Sequence, residues 1–280
     1  MSYQLTTAKI WNGTAWIDAA GGAKPWWETY GQVQRGLATA VSVTCSTTAH
    51  TKGAWTEVIA STSGNADFLV IGAFSSTNST DTASLFDVGF GAAGAETAKI
   101  ENVAIGSWFY MTVVVPFAVP SGTRIAIRAQ SIVTGGKTIS FFVQAFDSGN
   151  YANAPTAVDV IGTSTATSRG TALSTTAGTY AQVTASTANA YKAIAIVPSA
   201  ADASLSGYNQ TYTLATGAAG AEVERGSTTI NSTSGEQIQA FGMQALALVS
   251  GTFAAGTRLA VKGNQNTVGS NFDVCLIGIR

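Results

Sequence analysis

Gly91-Ala-Ala-Gly-Ala-Glu96 recurs letter for letter as Gly217-Ala-Ala-Gly-Ala-Glu222, and this repetition decides how the rest of the 280-residue chain is interpreted. The spacing between the two copies varies from block to block, so insertions fall between matched blocks, as loops do between strands. The chain therefore carries one ancestral module twice. Further matched blocks are Trp55-Thr-Glu-Val-Ile-Ala-Ser-Thr62 with Tyr180-Ala-Gln-Val-Thr-Ala-Ser-Thr187, Gly122-Thr-Arg-Ile-Ala-Ile-Arg128 with Gly256-Thr-Arg-Leu-Ala-Val-Lys262, and Phe141-Phe-Val143 with Phe272-Asp-Val274.

Side chains alternate with a period of two inside each copy. Ile125 and Ile127 point to one side of a predicted strand, and Leu259 and Val261 repeat them in the second copy. A helix over 95–103 is the weaker alternative, because its counterpart carries Gly226. We therefore predict an all-β fold of two tandem jelly-roll-like β-sandwich domains. In the first copy, predicted strands start near Leu37, Ala54, Asp67, Ser84, Glu96, Trp108, Thr123 and Thr138.

The repeats also predict the domain boundaries. The length of the chain allows two medium sandwiches or one large one, and the repetition favours two. We place the first jelly-roll domain at residues 36–148 and the second at 170–280. Residues 149–169 are rich in Asn, Ala, Ser, Thr and Gly and are predicted to be a linker. Residues 1–35 belong to neither copy and form a predicted N-terminal arm.

The arm holds four of the six tryptophans of the chain. Lys9-Ile-Trp-Asn-Gly-Thr-Ala-Trp-Ile-Asp18 is typical of a β-hairpin, because Asn-Gly accepts the positive φ angles of a tight turn. An isolated two-stranded hairpin is marginal in water, so its rings must be buried against another surface. That surface is either the chain's own sandwich or a neighbouring subunit or protein. The predicted anchoring residues are Trp11, Trp16, Trp26 and Trp27.

Charged residues make up only 10% of the chain, against about 25% in a typical soluble protein, and the formal net charge is −1. Low charge density favours association, so we expect a trimer or a higher cyclic oligomer. The chain has no cluster of Lys or Arg, which argues against binding to nucleic acid. It has no apolar signal segment and no stretch of membrane-spanning length, so we expect synthesis in the cytoplasm without membrane insertion.

Residue types that carry chemistry are scarce. The single histidine, His50, excludes multi-histidine metal sites and lies in a predicted turn, so we assign no catalytic residue and no metal ligand. Residues 89–94 match Gly-x-Gly-x-x-Gly but lack the following helix and acidic residue of a dinucleotide site, so no cofactor is expected. Cys45 and Cys275 are expected to be buried free thiols. The sequence therefore predicts a protein that is not an enzyme.

One pair of charges is repeated in both copies. Glu96 and Arg124 in the first copy correspond to Glu222 and Arg258 in the second. We predict that each Glu lies at a turn and that each Arg faces outward from the strand after the next. The two residues pair with each other or across a subunit boundary, or they simply descend from one duplicated ancestor. A surface pair would contribute only about 0–1 kcal/mol to stability.

The arm at residues 9–18 also carries a family resemblance, together with His50-Thr-Lys-Gly-Ala-Trp-Thr-Glu-Val-Ile-Ala-Ser-Thr62, Asp87-Val-Gly-Phe-Gly-Ala-Ala-Gly-Ala-Glu96 and Pro120-Ser-Gly-Thr-Arg124. The chain resembles structural proteins of tailed bacteriophages, in which minor tail and head-decoration proteins have such Trp-Asn-Gly-x-x-Trp hairpins and jelly rolls. The resemblance covers most of the chain. It implies a virion component whose arm contacts other virion proteins. A minor tail or tail-tip protein is the first placement, and capsid decoration is the second.

A carbohydrate-binding module that recognises a host-surface glycan is the alternative from another functional class. Jelly rolls also hold lectin sites, and aromatic rings that face solvent can stack on sugar faces. The competing interpretation of each ring is a place in the core or in an interface. The candidate stacking residues are Trp55, Trp108, Tyr151, Tyr180, Tyr191 and Tyr208.

Overall fold

The computed structural model describes residues 9–11, 16–18, 34–75, 83–105, 110–174, 176–200, 209–231, 248–265 and 272–280. These segments contain twenty strands and one short 3-10 turn, Tyr151–Asn153, and no α-helix. The predicted all-β class is therefore confirmed. None of the described segments forms an apolar helix of membrane-spanning length.

The chain begins with the predicted hairpin. Strands β1 (Lys9–Trp11) and β2 (Trp16–Asp18) pair in antiparallel fashion, with Trp11 opposite Trp16. The antiparallel pairing of the predicted hairpin is thus confirmed.

The first module consists of two antiparallel sheets. Its strands are β3 (Gln34–Leu37), β4 (Val41–Thr44), β5 (Thr56–Ile59), β6 (Ala66–Ser75), β7 (Ser84–Phe90), β8 (Thr97–Ile105), β9 (Tyr110–Val119), β10 (Ile125–Ser131) and β11 (Thr138–Phe146). Sheet I has the order β3-β11-β6-β9, with β4 also on β11, and sheet II has the order β5-β10-β7-β8. Strands that are consecutive in sequence mostly alternate between the sheets, as in a jelly roll.

The second module repeats this order strand for strand. Its strands are β12 (Val158–Ile161), β13 (Thr171–Ala172), β14 (Tyr180–Thr184), β15 (Tyr191–Ala200), β16 (Asn209–Thr216), β17 (Val223–Asn231), β18 (Leu248–Phe253), β19 (Leu259–Gln265) and β20 (Phe272–Ile279). Sheet III has the order β12-β20-β15-β18, with β13 also on β20, and sheet IV has the order β14-β19-β16-β17. The same connectivity in both modules is what a duplicated jelly roll requires.

Most strands lie within a few residues of their predicted starts, one open alternative is resolved, and two predicted boundaries differ. Strand β8 occupies the stretch for which a helix was the alternative, and Gly226 lies inside β17, so the helical alternative is wrong. Strand β3 begins at Gln34, inside the predicted arm. Strand β12 lies inside the predicted linker at 149–169, because its alternating Val158-Asp-Val-Ile161 pairs with β20 at the edge of sheet III.

Each module encloses an apolar core between its two sheets. Ile125 and Ile127, predicted to share one side of a strand, are fully buried in the first core, and Leu259 and Val261 are fully buried in the second. In the first core the rings of Phe86 and Phe141 pack at 5.1 Å between centroids. The period-two pattern therefore identified inward-facing side chains correctly.

The modules are joined by a second layer of apolar packing, which we call the junction. Strand β8, at the edge of sheet II, contacts β12, β15 and β20 of sheet III. Strand β20 is buried on both faces. Its side chains Val274 and Leu276 lie in the second core, and the side chains that alternate with them lie in the junction. The side chains of sheet III that belong to the same buried cluster as the first core are Val158, Ala195, Val197, Cys275, Ile277 and Ile279.

Both cysteines are buried free thiols, as predicted. Cys275 lies in the junction and is fully buried. Burial raises the pKa of its thiol to about 12, although a hydrogen bond with the backbone of Ala104 acts in the opposite direction. The thiol therefore stays protonated where the junction is closed.

The junction predicts cooperative unfolding of the two modules. We expect one urea-unfolding transition, followed by fluorescence and circular dichroism, because separating the modules would expose the outer face of sheet III. Ile277→Ala should lower the free energy of unfolding by about 2–5 kcal/mol, the usual cost of truncating a buried Ile. Val223→Ala is the matched control: this side chain is 57% exposed, and its loss should cost less than about 0.5 kcal/mol. Two separate wild-type transitions would contradict the prediction.

Candidate functional site

An arginine in each module ties a hairpin turn to the strands beside it. Arg124 lies directly before β10. Its Nη1 donates to Glu96 Oε1 at 2.8 Å and to the Gly91 carbonyl at 3.1 Å, and its Nε donates to Glu57 Oε2 at 2.6 Å. We call this group the arginine clamp. Glu96 and Arg124 thus pair with each other inside one module.

The second module has the same clamp with one change. Arg258 Nη1 donates to Glu222 Oε1 at 3.2 Å and to the Gly217 carbonyl at 2.9 Å. Its Nε donates to Gln182 Oε1 at 2.9 Å, where the first module has a carboxylate. The residues that recur in both modules therefore have the same structural role, because each arginine connects a turn to a neighbouring strand.

Each glutamate lies at the end of a turn, as predicted. Each arginine side chain lies outside the apolar cores and is only 16% exposed in both modules. The turn before Glu96 folds tightly against the sheet: Gly91 has φ +127°, and a Cβ there would meet the Ala95 carbonyl at 2.7 Å. This tight turn covers the guanidinium of Arg124.

The electrostatics of the first clamp favour the ionised carboxylate. Burial by itself would raise the pKa of Glu96. Hydrogen bonds from its own backbone N–H and from Arg124 outweigh that effect, so the pKa lies below its ordinary value. The neighbouring carboxylates Glu57 and Glu96 raise the pKa of Arg124 in return. The pair is therefore charged throughout the neutral range.

A buried carboxylate that the sequence did not identify lies on the outer face of sheet II. Asp87 is 1% exposed, and it accepts hydrogen bonds from Lys52 Nζ at 2.6 Å, Arg128 Nε at 2.8 Å and the Asn102 N–H at 2.7 Å. Asn102 has φ +60° and lies at a β-bulge of β8. The only sequence signal is an Asp inside the apolar strand Ser84-Leu-Phe-Asp-Val-Gly-Phe90. The second module has Thr213 at this position.

Trp55 and Tyr180 occupy equivalent positions beside these charges and are half-buried. The Trp55 ring lies against Gly89, where a Cβ would meet it at 2.7 Å, and the Arg128 guanidinium lies 4.5 Å from the ring centroid. The Lys262 amine lies 4.9 Å from the Tyr180 ring, and the Tyr180 hydroxyl donates to Glu224 at 3.1 Å. Both rings thus pack against cationic side chains of their own module.

The other candidate stacking residues differ in their exposure to solvent. Tyr191 is only 2% exposed, so its ring cannot serve as a solvent-facing platform and that role is wrong for it. Its hydroxyl donates to Asp159 Oδ2 at 3.0 Å; burial first, and then this neighbour, raise its pKa to about 12. Tyr151 is half-buried in the 3-10 turn. Trp108 and Tyr208 lie outside the described residues.

A cleft of about 700 Å³ opens beside Tyr191. Asp159 anchors its wall, because Oδ2 accepts from Asn189 Nδ2 at 2.8 Å and Oδ1 accepts from Arg280 Nη2 at 3.2 Å. The remaining wall is rich in hydroxyl groups and backbone, with side chains from both sheets of the second module. The polar side chains of the lining are Asp159, Thr163, Ser164, Thr171, Thr184, Ser186, Thr187, Asn189 and Tyr191.

His50 contacts the segment that follows β12. It lies in a turn, as predicted, and its Nδ1 is 2.8 Å from Ser168 Oγ. Gln130 Nε2 donates to the same hydroxyl at 2.8 Å and to the Thr165 carbonyl at 2.8 Å. Ser168 is fully buried, so its hydroxyl is closed to a substrate. These contacts fasten the segment after β12 to the first module.

Three further sequence features are the glycine-rich motif at residues 89–94, the metal ligands and the tryptophans of the arm. Residues 89–94 run from β7 into a turn that leads into strand β8, and not into the helix that a dinucleotide site needs. Within the described ranges, no three His, Cys, Asp or Glu side chains group as metal ligands. Trp11 and Trp16 are paired in the backbone register of the hairpin, and Trp26 and Trp27 lie outside the described residues. Anchoring by all four tryptophans stays a prediction.

The first clamp predicts a local effect and a pH dependence. Arg124→Gln should increase amide hydrogen exchange at residues 91–96 severalfold, whereas Arg258→Gln, the matched control, should do so only at 217–222. Because the folded pKa of Glu96 is lowered, its carboxylate stabilises the fold above the ordinary value of 4.5, and this contribution is lost as the pH falls through the folded pKa. In the Arg124→Gln variant, the free energy of unfolding should therefore fall less steeply than in the wild type as the pH is lowered. Unchanged exchange at 91–96 would contradict a role for the clamp.

Comparisons with known proteins give no family. No protein-family model matches the chain, and no curated protein matches it. One solved structure, described as recombinant N-glycanase F (PNGase F), is 11% identical with a TM-score of 0.33, over 88% of this chain and 95% of its own. Another, described as PNGase F, a glycosylasparaginase from Flavobacterium meningosepticum, is 11% identical with a TM-score of 0.31, over 86% and 96%. Similarity at this level carries no argument about function.

Proposed function

We propose that the protein is a non-enzymatic structural component of a bacteriophage virion. In this proposal it is a minor tail or tail-tip protein that assembles as a trimer or higher cyclic oligomer. It is made in the host cytoplasm and held in the particle by its N-terminal arm, which contacts other virion proteins. Capsid decoration, as a cement or head-fibre protein, is the alternative placement within the same class.

The observation that carries the proposal is the junction. Antiparallel sheets commonly keep one face in solvent, but the outer face of sheet III is apolar and covered by β8 of the first module. One sandwich thus serves as the packing surface of another. Jelly rolls are a recurrent architecture of viral capsid domains, which supports a role as a building element.

The arm and the composition support the same role. The hairpin of β1 and β2 is only three residues long in each strand, too short to be stable on its own, so it requires a surface to dock on. Only 10% of the residues are charged, which reduces repulsion between neighbouring copies. The resemblance of the arm and the repeated blocks to tailed-phage structural proteins points to the virion as the place of assembly.

The arm gives a direct test of virion placement. Because β3 begins at Gln34, the truncation that spares sheet I removes residues 1–33. We expect the truncated chain to fold and keep its oligomeric state but to be absent from particles, measured by immunoblotting of purified virions. Deletion of residues 1–8, which leaves the hairpin intact, is the control and should be incorporated normally. Immunogold label at the tail tip supports the first placement, label over the head supports decoration, and unlabelled particles contradict the proposal.

Recognition of a host-surface glycan is a second candidate function, and the cleft beside Tyr191 favours it. Its wall combines a carboxylate, an amide and several hydroxyls, which are the groups that hydrogen-bond sugar hydroxyls. Asp159 is held in place by Asn189, Tyr191 and Arg280 and is still 27% exposed, so it can accept a further hydrogen bond from a ligand. The cleft, and not an open aromatic platform, is therefore the better candidate for such a site.

A glycan array tests this second candidate. We expect Asp159→Asn, which keeps the shape of the cleft and removes its charge, to weaken glycan binding at least tenfold. Glu101→Gln is the control, because this exposed carboxylate of the first module lies outside the cleft lining and away from Tyr180. Tyr180→Ala tests the aromatic-platform alternative in parallel. Absence of any wild-type binding would contradict glycan recognition, and loss of binding only in Tyr180→Ala would move the site to the aromatic ring.

A further inference from the structure

We propose that the cleft beside Tyr191 binds sugars with a free, protonated amine more tightly than N-acetylated or carboxylated sugars. The inference rests on the second candidate function, glycan recognition, and deepens it by naming the class of sugar. It follows from the hydrogen bonds and charges of the cleft wall, and it is independent of where the protein lies in a virion.

The turn at Thr187, in the cleft lining, belongs to the framework that both modules share. Its hydroxyl donates to the Ala254 carbonyl at 3.0 Å. In the first module the Thr62 hydroxyl donates to the Pro120 carbonyl at 2.9 Å in the same way. The two threonines end the matched blocks 55–62 and 180–187, so the residues that follow them can be compared between the modules.

The polar side chains that hold Asp159 are a feature of the second module. Four residues after each threonine a long strand begins, at Tyr191 in β15 and at Ala66 in β6. Asn189 and Gly64 lie two residues before these starts. The same jelly roll therefore forms in the first module without the hydroxyl and the amide that donate to Asp159 in the second. The fold does not require these contacts, and they concentrate polar groups on the cleft wall.

Much of the cleft lining can accept hydrogen bonds from a ligand but cannot donate them. Thr171 Oγ1 and Thr184 Oγ1 donate to backbone carbonyls at 2.8 and 2.9 Å. The Thr187 hydroxyl donates to a carbonyl as well, and the Tyr191 hydroxyl donates to Asp159. A hydroxyl has one donor proton and two acceptor lone pairs, so these four groups have only lone pairs left. A ligand that contacts them must therefore supply the donors.

Asp159 is the charged side chain of the cleft lining, which contains no Lys or Arg among its described residues. Its Oδ2 accepts from Asn189 and Tyr191, and its Oδ1 accepts from Arg280 at 3.2 Å. Arg280 lies outside the lining and is 40% exposed, so it balances the carboxylate only in part. Oδ1 has a further lone pair, so it can accept again. An anionic ligand would be repelled here, whereas a cationic donor would gain a charge-assisted hydrogen bond.

A sugar amine matches this wall better than the groups that can replace it. A protonated amine brings three donors and a positive charge and has no acceptor. N-acetylation removes the charge and leaves one N–H donor. A carboxylate brings acceptors and a negative charge, which the lining cannot satisfy. The preference between otherwise identical sugars is therefore set by the charge of Asp159.

The lining also fits a sugar ring better than a basic peptide. The hydroxyls of Thr163, Ser164 and Ser186 belong to the cleft lining and have no hydrogen-bond partner within the described part of the chain. Each of them can donate and accept, as the ring hydroxyls of a sugar do. The aliphatic stem of a lysine side chain would leave them unpaired. The ligand class that matches the cleft is therefore an amino sugar.

Titration calorimetry with the full-length protein tests the preference. The probes are oligosaccharides of glucose, galactose and mannose, each with a hydroxyl, an amine or an acetamide at C2, or with a carboxylate at C6. At mildly acidic pH, where the sugar amine is protonated, we expect the amine form to bind about fivefold more tightly than the acetamide form, the upper end for an ion pair that solvent reaches. The carboxylate form should bind most weakly. Salt at about 1 M should reduce the preference, because it screens the charges.

Three variants assign the preference to the cleft. In Asp159→Asn the amine form should lose more affinity than the acetamide form, so that the preference disappears. Arg280→Gln should increase the preference, because Arg280 no longer shares Oδ1 of Asp159. Glu101→Gln, an exposed carboxylate outside the lining, is the control and should bind every probe as the wild type does. Circular dichroism checks that each variant is folded.

The outcomes separate the class of sugar from glycan recognition itself. Equal binding of amine and acetamide forms, or tighter binding of carboxylate forms, would overturn the inference and leave glycan recognition intact. A preference that persists in folded Asp159→Asn would also overturn it, since the charge that matters would lie elsewhere. A lysine tripeptide that binds as tightly as the best amino sugar would assign the cleft to a basic peptide instead. Absence of binding to every glycan, on the array as well, would overturn both the inference and glycan recognition.

Discussion

Burial of strand β20 on both faces is the constraint on which the rest of the structure depends. One set of alternate side chains, including Leu276, completes the second core, and the other set, including Ile277, completes the junction. A strand with two apolar faces cannot be exposed on either side without losing hydrophobic stabilisation of the order of 1.5–3 kcal/mol for each fully buried side chain. The second sandwich and its attachment to the first are therefore one energetic unit, and the hydrogen bonds of Ser168 with His50 and Gln130 add a polar link between the modules.

Much of the fold was predictable because duplication and period-two alternation are properties of the chain itself. Ile125 and Ile127 alternate with Arg124 and Arg128, and that alternation indicates an inner and an outer face of the strand. Glu96 and Arg124 were recognised as a pair because their counterparts recur. Their burial was not predictable, because it depends on how tightly the turn at Gly91 folds over the guanidinium, and this is a property of tertiary packing.

Other parts of the site depend on contacts that no local pattern encodes. Lys52 and Arg128 reach Asp87 from separate strands and loops, so nothing in their spacing connects them. The junction did leave a trace, because the near-continuous apolar run Val274-Cys-Leu-Ile-Gly-Ile279 is typical of strands buried on both faces. A linker was expected before residue 170 because Ser, Thr, Ala and Gly dominate there, and the four-residue strand β12 is too short to stand out.

The β-bulge at Asn102 has an evolutionary consequence. Residues 85–90 of β7 span residues 97–104 of β8, whereas the equivalent residues 211–216 of β16 span only 223–229 of β17. Bulges re-aim the side chains beyond them without changing the rest of the sheet. A single-codon insertion or deletion after gene duplication is thus enough to change which side chains an edge strand presents, so that the two sister strands can pack against different surfaces. Twin modules can diverge in this way through a change of register alone, without a new fold.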